Sequence, residues 1–140
     1  MKLSDFIYRG LVKKTSKDLQ LAKSLYYSTE SDLKFLSTLS LNEGSARTIM
    51  TSYYDALRSI LEAISTLDGY KMYSHEAFTF YLKEKNEEVI AEKFDRLRKI
   101  RNSIVYYGKS ISIDEVEEHT REIIKLIKQL KQKYIEQEMK

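Results

Sequence analysis

Residues 45–69, SARTIMTSYYDALRSILEAISTLDG, decide the fold. Ile49, Tyr53, Ala56, Ile60, Ala63 and Leu67 recur at helical steps and form one apolar stripe, each residue turning the chain by about 100°. Met50, Tyr54, Leu57, Leu61 and Ile64 form a second stripe beside it. A helix apolar over that much of its circumference needs neighbours on several sides, which places it at the centre of a bundle. Asp68-Gly69 closes it, with the glycine as the expected C-cap.

The flanking segments supply those neighbours. Ser4 or Asp5 is read as the cap of a short first helix ending near Lys14. Thr15 or Ser16 opens a longer one, with Leu19, Ala22, Tyr26, Leu33 and Leu36 at helical spacing, and residues 39–44 break it. Beyond the central helix, Ser74 is read as the cap of a short helix carrying Phe78, Tyr81 and Leu82. A fifth begins at Asn86 or a neighbour and ends near Gly108. Ser112 caps the last, supported by Asp114 and Glu115 in its first turn. There Ile113, Val116, Ile123, Ile127, Leu130 and Tyr134, with Thr120 filling the gap, step by three and four as in a bundle or coiled-coil seam. The expectation is an all-α, up-and-down bundle of five or six helices with no strand, forming one domain over residues 1–140.

Composition agrees and narrows the chemistry. The chain of 140 residues has no proline and only four glycines, which suits long uninterrupted helices. It has no cysteine, so disulfides, thiolate metal sites and a thiol nucleophile are excluded. No apolar run approaches the roughly 20 residues that span a membrane, and residues 1–5 carry no apolar signal core. A cytoplasmic protein without membrane association is expected. The net charge is +3, from 24 basic and 21 acidic residues mixed along the chain, a pattern typical of solvated helix faces. Abundant Lys, Glu, Ile and Tyr would suit a thermophile. The glycines are scattered and form no phosphate loop. His75 and His119 have no ligand partners at helical spacing, so neither a metal nor any other cofactor is expected, and His119 reads as a surface residue.

The fifth helix ends in Arg101-Asn102-Ser103-Ile104-Val105-Tyr106-Tyr107-Gly108. Ile90, Phe94, Leu97, Ile100 and Ile104 share its apolar face, and Arg101 falls inside that stripe. A guanidinium is not buried without a partner, so Arg101 either snorkels out, pairs with a buried acid, or lines a cleft. Asp95, Arg98, Asn102 and Tyr106 make a polar stripe alongside. Arg98, Arg101 and Asn102 together could grip a phosphate through the bidentate arginine fork, while Tyr106 and Tyr107 could stack on a base or donate a hydroxyl. The competing reading makes Asp95 and Arg98 an ion pair within one helical turn, Tyr107 a plug in the core and Gly108 a C-cap.

These residues resemble the HEPN superfamily signature, Arg-x4-6-His near a helix end. Tyr53-Tyr54-Asp55-Ala56-Leu57-Arg58, then Leu67-Asp68-Gly69-Tyr70, then Ser74-His75-Glu76, is similar to that family's upstream block, and the likeness runs roughly from Ile49 to Lys133. The resemblance implies a dimeric helical bundle whose motif helices face each other across a cleft. It also implies a metal-independent ribonuclease chemistry, in which Arg101 and Asn102 hold the scissile phosphate and a histidine transfers protons. Some members are toxins paired with a small nucleotidyltransferase. Where the family has its motif histidine, this chain has Tyr106. Histidine titrates near about 6.5 and tyrosine near about 10, so a tyrosine is a poor proton acceptor at neutral pH. Acid–base catalysis is typically worth about 10²–10⁴-fold, and most of that is expected to be lost unless His75 substitutes from another helix. The tyrosine modified in antitoxin-paired members falls at Gly108 here and does not carry over by position.

The expected function is therefore an RNA- or nucleotide-binding protein with weakened or absent ribonuclease activity. It would be a homodimer through the fifth-helix face, acting with a nucleotidyltransferase-type partner. The alternatives are an active endoribonuclease toxin using Arg101, Asn102 and Tyr106, and a non-catalytic helical dimerisation adaptor.

Overall fold

The computed structural model describes residues 1–139. Both stripes of the central helix are buried apart from Leu67, which is half-buried at its end, and α3 (Ala46–Leu67) is flanked by α2 (Leu19–Leu36), α5 (Glu88–Tyr107) and α6 (Ile113–Tyr134). The remaining helices are α1 (Leu3–Tyr8) and α4 (Glu76–Glu84), with a short 3-10 turn over Glu136–Met139. An all-α bundle is thus the architecture.

One element departs from a purely helical reading. Val12–Lys14 (β1) and Tyr70–Met72 (β2) pair as a small antiparallel sheet, with Val12 opposite Met72, Lys13 opposite Lys71 and Lys14 opposite Tyr70. Strands this short carry no readable periodicity. What holds them is tertiary: Val12 is wholly buried, and Thr15 N–H donates to Gly69 O at 2.7 Å. The first helix accordingly stops at Tyr8 instead of running to Lys14.

Several predicted caps are also displaced. Lys2 is the N-cap of α1, and its backbone N–H donates to Asp5 Oδ2 at 2.7 Å, so Asp5 closes the first turn from inside. Asp18, neither Thr15 nor Ser16, caps α2 by accepting from Leu21 N–H at 3.0 Å. In α4 the N-cap is His75, which makes no side-chain cap bond, and Ser74 contributes only its backbone carbonyl, accepting from Ala77 N–H at 3.2 Å. Asn86 adopts a left-handed φ of 63° just before Glu87 opens α5. The cap of α6 is as expected: Ser112 Oγ accepts from Glu115 N–H at 3.1 Å, and Glu115 Oε1 accepts from Ser112 N–H at 3.1 Å. Val116, Ile123, Ile127 and Leu130 are buried beneath it, joined by Leu126.

Gly69 stands at φ +81°, and a Cβ there would lie 2.6 Å from the Thr15 carbonyl oxygen, which belongs to backbone. Gly69→Ala combines left-handed strain with a backbone clash. It is expected to destabilise the protein by about 2 kcal/mol or more, measured as a lower urea midpoint at unchanged slope.

On α5, Phe94, Leu97 and Ile104 are buried, with Ile90 and Ile100 partly covered. That apolar face therefore packs within the chain's own core. What α5 leaves outward at its end is Val105, Tyr106 and Tyr107.

Candidate functional site

Three elements converge beside the end of α5. From α3 come Tyr54 and, one turn later, Arg58; the start of α4 supplies His75; α5 supplies Arg98 and Arg101. Tyr54 is fully buried, its ring stacked on Phe94 at 5.8 Å and 22°. A buried tyrosine hydroxyl requires a partner, and the Tyr54 Oη lies 3.2 Å from His75 Nδ1. The Arg101 guanidinium lies over the same ring, 5.7 Å from its centroid, and 5.8 Å from the ring of Tyr106.

Arg101 pairs with no acid among the described residues. Its Nε is buried without a hydrogen-bond partner, and among the described residues no carboxylate is within ion-pair distance. The other guanidiniums of the cluster are neutralised. Arg58 Nη1 is 3.0 Å from Glu62 Oε2. Arg98 Nη2 is 2.8 Å from Asp95 Oδ1 and 3.6 Å from Glu76 Oε2. Arg98 thus behaves as the ion pair of the competing reading. By reaching Glu76 it also ties α5 to the first turn of α4, next to His75. Burial pushes the Asp95 carboxyl up, but the hydrogen bonds from Arg98 and Lys99 outweigh it and hold the group below the usual carboxylate range.

Asn102 is half-buried beside Arg101. Tyr106 is 69% exposed and Tyr107 84% exposed, so Tyr107 is no core plug. Gly108, at φ +62°, ends the helix as the left-handed C-cap. Arg47 Nη2 donates to Ile104 O at 2.8 Å, satisfying a carbonyl of the last turn from α3. A groove of about 460 Å³ lined by Thr79, Asp95, Lys99 and Ile100 runs alongside the cluster, and none of Tyr54, His75 or Arg101 lines it.

The electrostatics follow from this packing. Burial lowers the His75 pKa below its ordinary value; the positive charges of Arg58 and Arg101 lower it further, and Asp55 opposes them. Burial raises Tyr54 to about 12, against the pull of Arg101, Arg58 and Arg98. At neutral pH the pair is a neutral imidazole bonded to a neutral phenol. With Nδ1 protonated and donating to the Tyr54 oxygen, Nε2 is left as a proton acceptor; with the Tyr54 hydroxyl donating to Nδ1, Nε2 carries the proton.

A depressed histidine pKa has a definite sign in stability. The unfolded chain takes up the proton first, near the ordinary value of about 6.5. The folded state is therefore favoured above that pH and loses stability as pH falls below it. His75→Gln removes the group, and the acid side of the stability profile is expected to flatten. Denaturant melts between pH 5 and 7 (about the titration range of histidine) check this, and NMR titration of the His75 ring reads the lowered pKa directly.

Neither Tyr54 nor Arg58 is singled out as a site residue by the sequence, although both stand in the segment likened to the upstream block and Tyr54 also in an apolar stripe. The available signal was a tyrosine hydroxyl placed in a core stripe, which has to be satisfied by something. No protein-family model, curated protein or solved structure matches the chain.

Proposed function

We propose that this protein is a HEPN-like RNA- or nucleotide-binding protein with weakened or absent ribonuclease activity, acting with a nucleotidyltransferase-type partner in a toxin–antitoxin or defence-type system. The observation that carries the reading is Arg101: a half-buried guanidinium laid on the Tyr54 ring with no carboxylate among the described residues to match it. A phosphate supplies the missing anion, and arginine is the side chain suited to hold it bidentately. Asn102 and the exposed rings of Tyr106 and Tyr107 would then contact ribose and base. Fluorescence anisotropy with a labelled 12-nucleotide RNA, competed by 5′-AMP, tests it. Absence of binding by both ligands at low salt would sink the proposal.

A second reading, an active metal-independent endoribonuclease, is favoured by the His75–Tyr54 hydrogen bond. His75 would take the base role that Tyr106 fills poorly. Its Nε2 would accept the 2′-hydroxyl proton as the 2′-oxygen bonds to phosphorus. The bond to the 5′-oxygen breaks and water protonates that oxygen, leaving a 2′,3′-cyclic phosphate. RNA incubated in EDTA decides between the readings. Cleavage lost by about 10²-fold or more in His75→Gln, with Tyr106→Phe still active, would replace the first reading by the second.

A further inference from the structure

The antiparallel register sets Lys13 directly opposite Lys71. Like charges facing each other across two strands are destabilising, and no carboxylate among the described residues pairs with either. Both ammonium groups instead lie near one ring: Lys13 Nζ is 5.8 Å and Lys71 Nζ 5.6 Å from the centroid of Tyr73. Tyr73 is 51% exposed, and its backbone is fixed by N–H donation to Leu11 O at 2.8 Å. Register cannot slip to relieve the repulsion. Val12 and Met72 occupy the opposite face, with Val12 wholly buried, and a one-residue shift would drive lysine into the core. The fold therefore holds two unmatched cations beside a half-exposed aromatic ring.

Tyr73 stands close in sequence to His75, a member of the Arg101 cluster. Tyr73 precedes His75 by one intervening residue, Ser74, so their Cα atoms are at most about 7 Å apart. Cations that follow a backbone, interleaved with a ring that stacks a base, are how proteins hold single strands. Inside a duplex both faces of a base are covered by its stacked neighbours.

We propose that the outward face of the β1–β2 sheet is a binding track for single-stranded RNA, with Lys13 and Lys71 on phosphates and Tyr73 under a base, continuing the strand whose phosphate Arg101 holds. The inference rests on the Arg101 reading and makes the ligand an oligonucleotide, not a mononucleotide.

Anisotropy with the 12-nucleotide RNA, its duplex, and 5′-AMP tests both statements separately. The expected result is that Lys13→Gln/Lys71→Gln weakens RNA binding by about ten-fold or more at 0.1 M salt and reduces the slope of log affinity against log salt by about 1.4, for two single-strand phosphate contacts. Affinity for 5′-AMP stays unchanged. Tyr73→Ala weakens RNA binding by about five-fold or more, while Tyr73→Phe, which keeps the stacking surface, restores it. Far-UV circular dichroism confirms that each variant keeps its helices. Unchanged RNA affinity in the double variant, or a duplex bound as tightly as the single strand, overturns the track. RNA bound no more tightly than 5′-AMP also overturns it, while leaving Arg101 as a phosphate site. RNA binding that is lost in the lysine variant but kept in Arg101→Ala overturns the Arg101 reading and leaves the β1–β2 sheet as the site.

Discussion

Arg101→Ala is expected to weaken RNA and nucleotide binding by roughly 10- to 100-fold while leaving the fold nearly as stable as before. Hydrogen bonds to a charged group are worth about 1.5–3 kcal/mol, and removing the fork removes at least one. Stability is expected to respond differently. Alanine relieves a buried Nε that has no partner and is the better helix former. Against this stand the lost contacts with the Tyr54 and Tyr106 rings, each worth about 0.5–1 kcal/mol at a partly exposed site. The net change in unfolding free energy should fall within about 1 kcal/mol of zero on these magnitudes. Arg101→Lys keeps the charge but not the planar fork and should bind with intermediate affinity. A further readout separates a phosphate anchor from a packing residue. Arg101 is one of the charges holding the His75 pKa down, so Arg101→Ala should move the His75 titration upward. If the variant instead unfolds much more easily and binds as the parent does, Arg101 is structural.

Phe94→Ala is expected to have the largest effect on stability and to disable the site with it. Phe94 is fully buried, stacked on Tyr54 and edge-on to Phe78 at 6.1 Å and 76°. Truncating such a residue typically costs about 3–5 kcal/mol, from lost burial and the cavity left behind. For a domain of this length that lowers the melting temperature by roughly 10–20 °C. The site follows because the ring that would move into the cavity is Tyr54, which carries the hydrogen bond to His75 and underlies Arg101. Phe94→Leu, which refills most of the volume, should recover both stability and binding in part. Thermal unfolding followed by circular dichroism, with ligand titration at a temperature where each variant is folded, reads the two effects independently. A loss below about 1 kcal/mol would mean the aromatic stack contributes little.

The helices were largely legible because their signals are local. The two stripes of α3 identified the central element, and the Ser112–Glu115 capping box marked the start of α6. The boundaries that went astray, at Lys2, Asp18 and His75, lie where several polar residues compete for one cap and packing chooses among them. The two-stranded sheet was illegible for a related reason. Three residues show no period, and Lys13 and Lys71 meet only because the chain on either side of α2 and α3 is brought together.

The candidate site divides in the same way. The 3.6-residue repeat alone set Arg101 on the inward side of α5 and Asn102 beside it, and a single substitution in the motif, Tyr106, was enough to question base catalysis from that helix. Helical periodicity cannot say which buried tyrosine reaches which histidine. That required α3, the start of α4 and α5 to pack against one another. Only then does the Tyr54 hydroxyl meet His75, Arg98 meet Glu76, and Arg101 settle over an aromatic ring with its charge unmatched. The sequence by itself determined a helical bundle with an arginine turned toward its core. The tertiary structure decided which groups surround that arginine, because contacts between distant segments form only when the whole bundle closes.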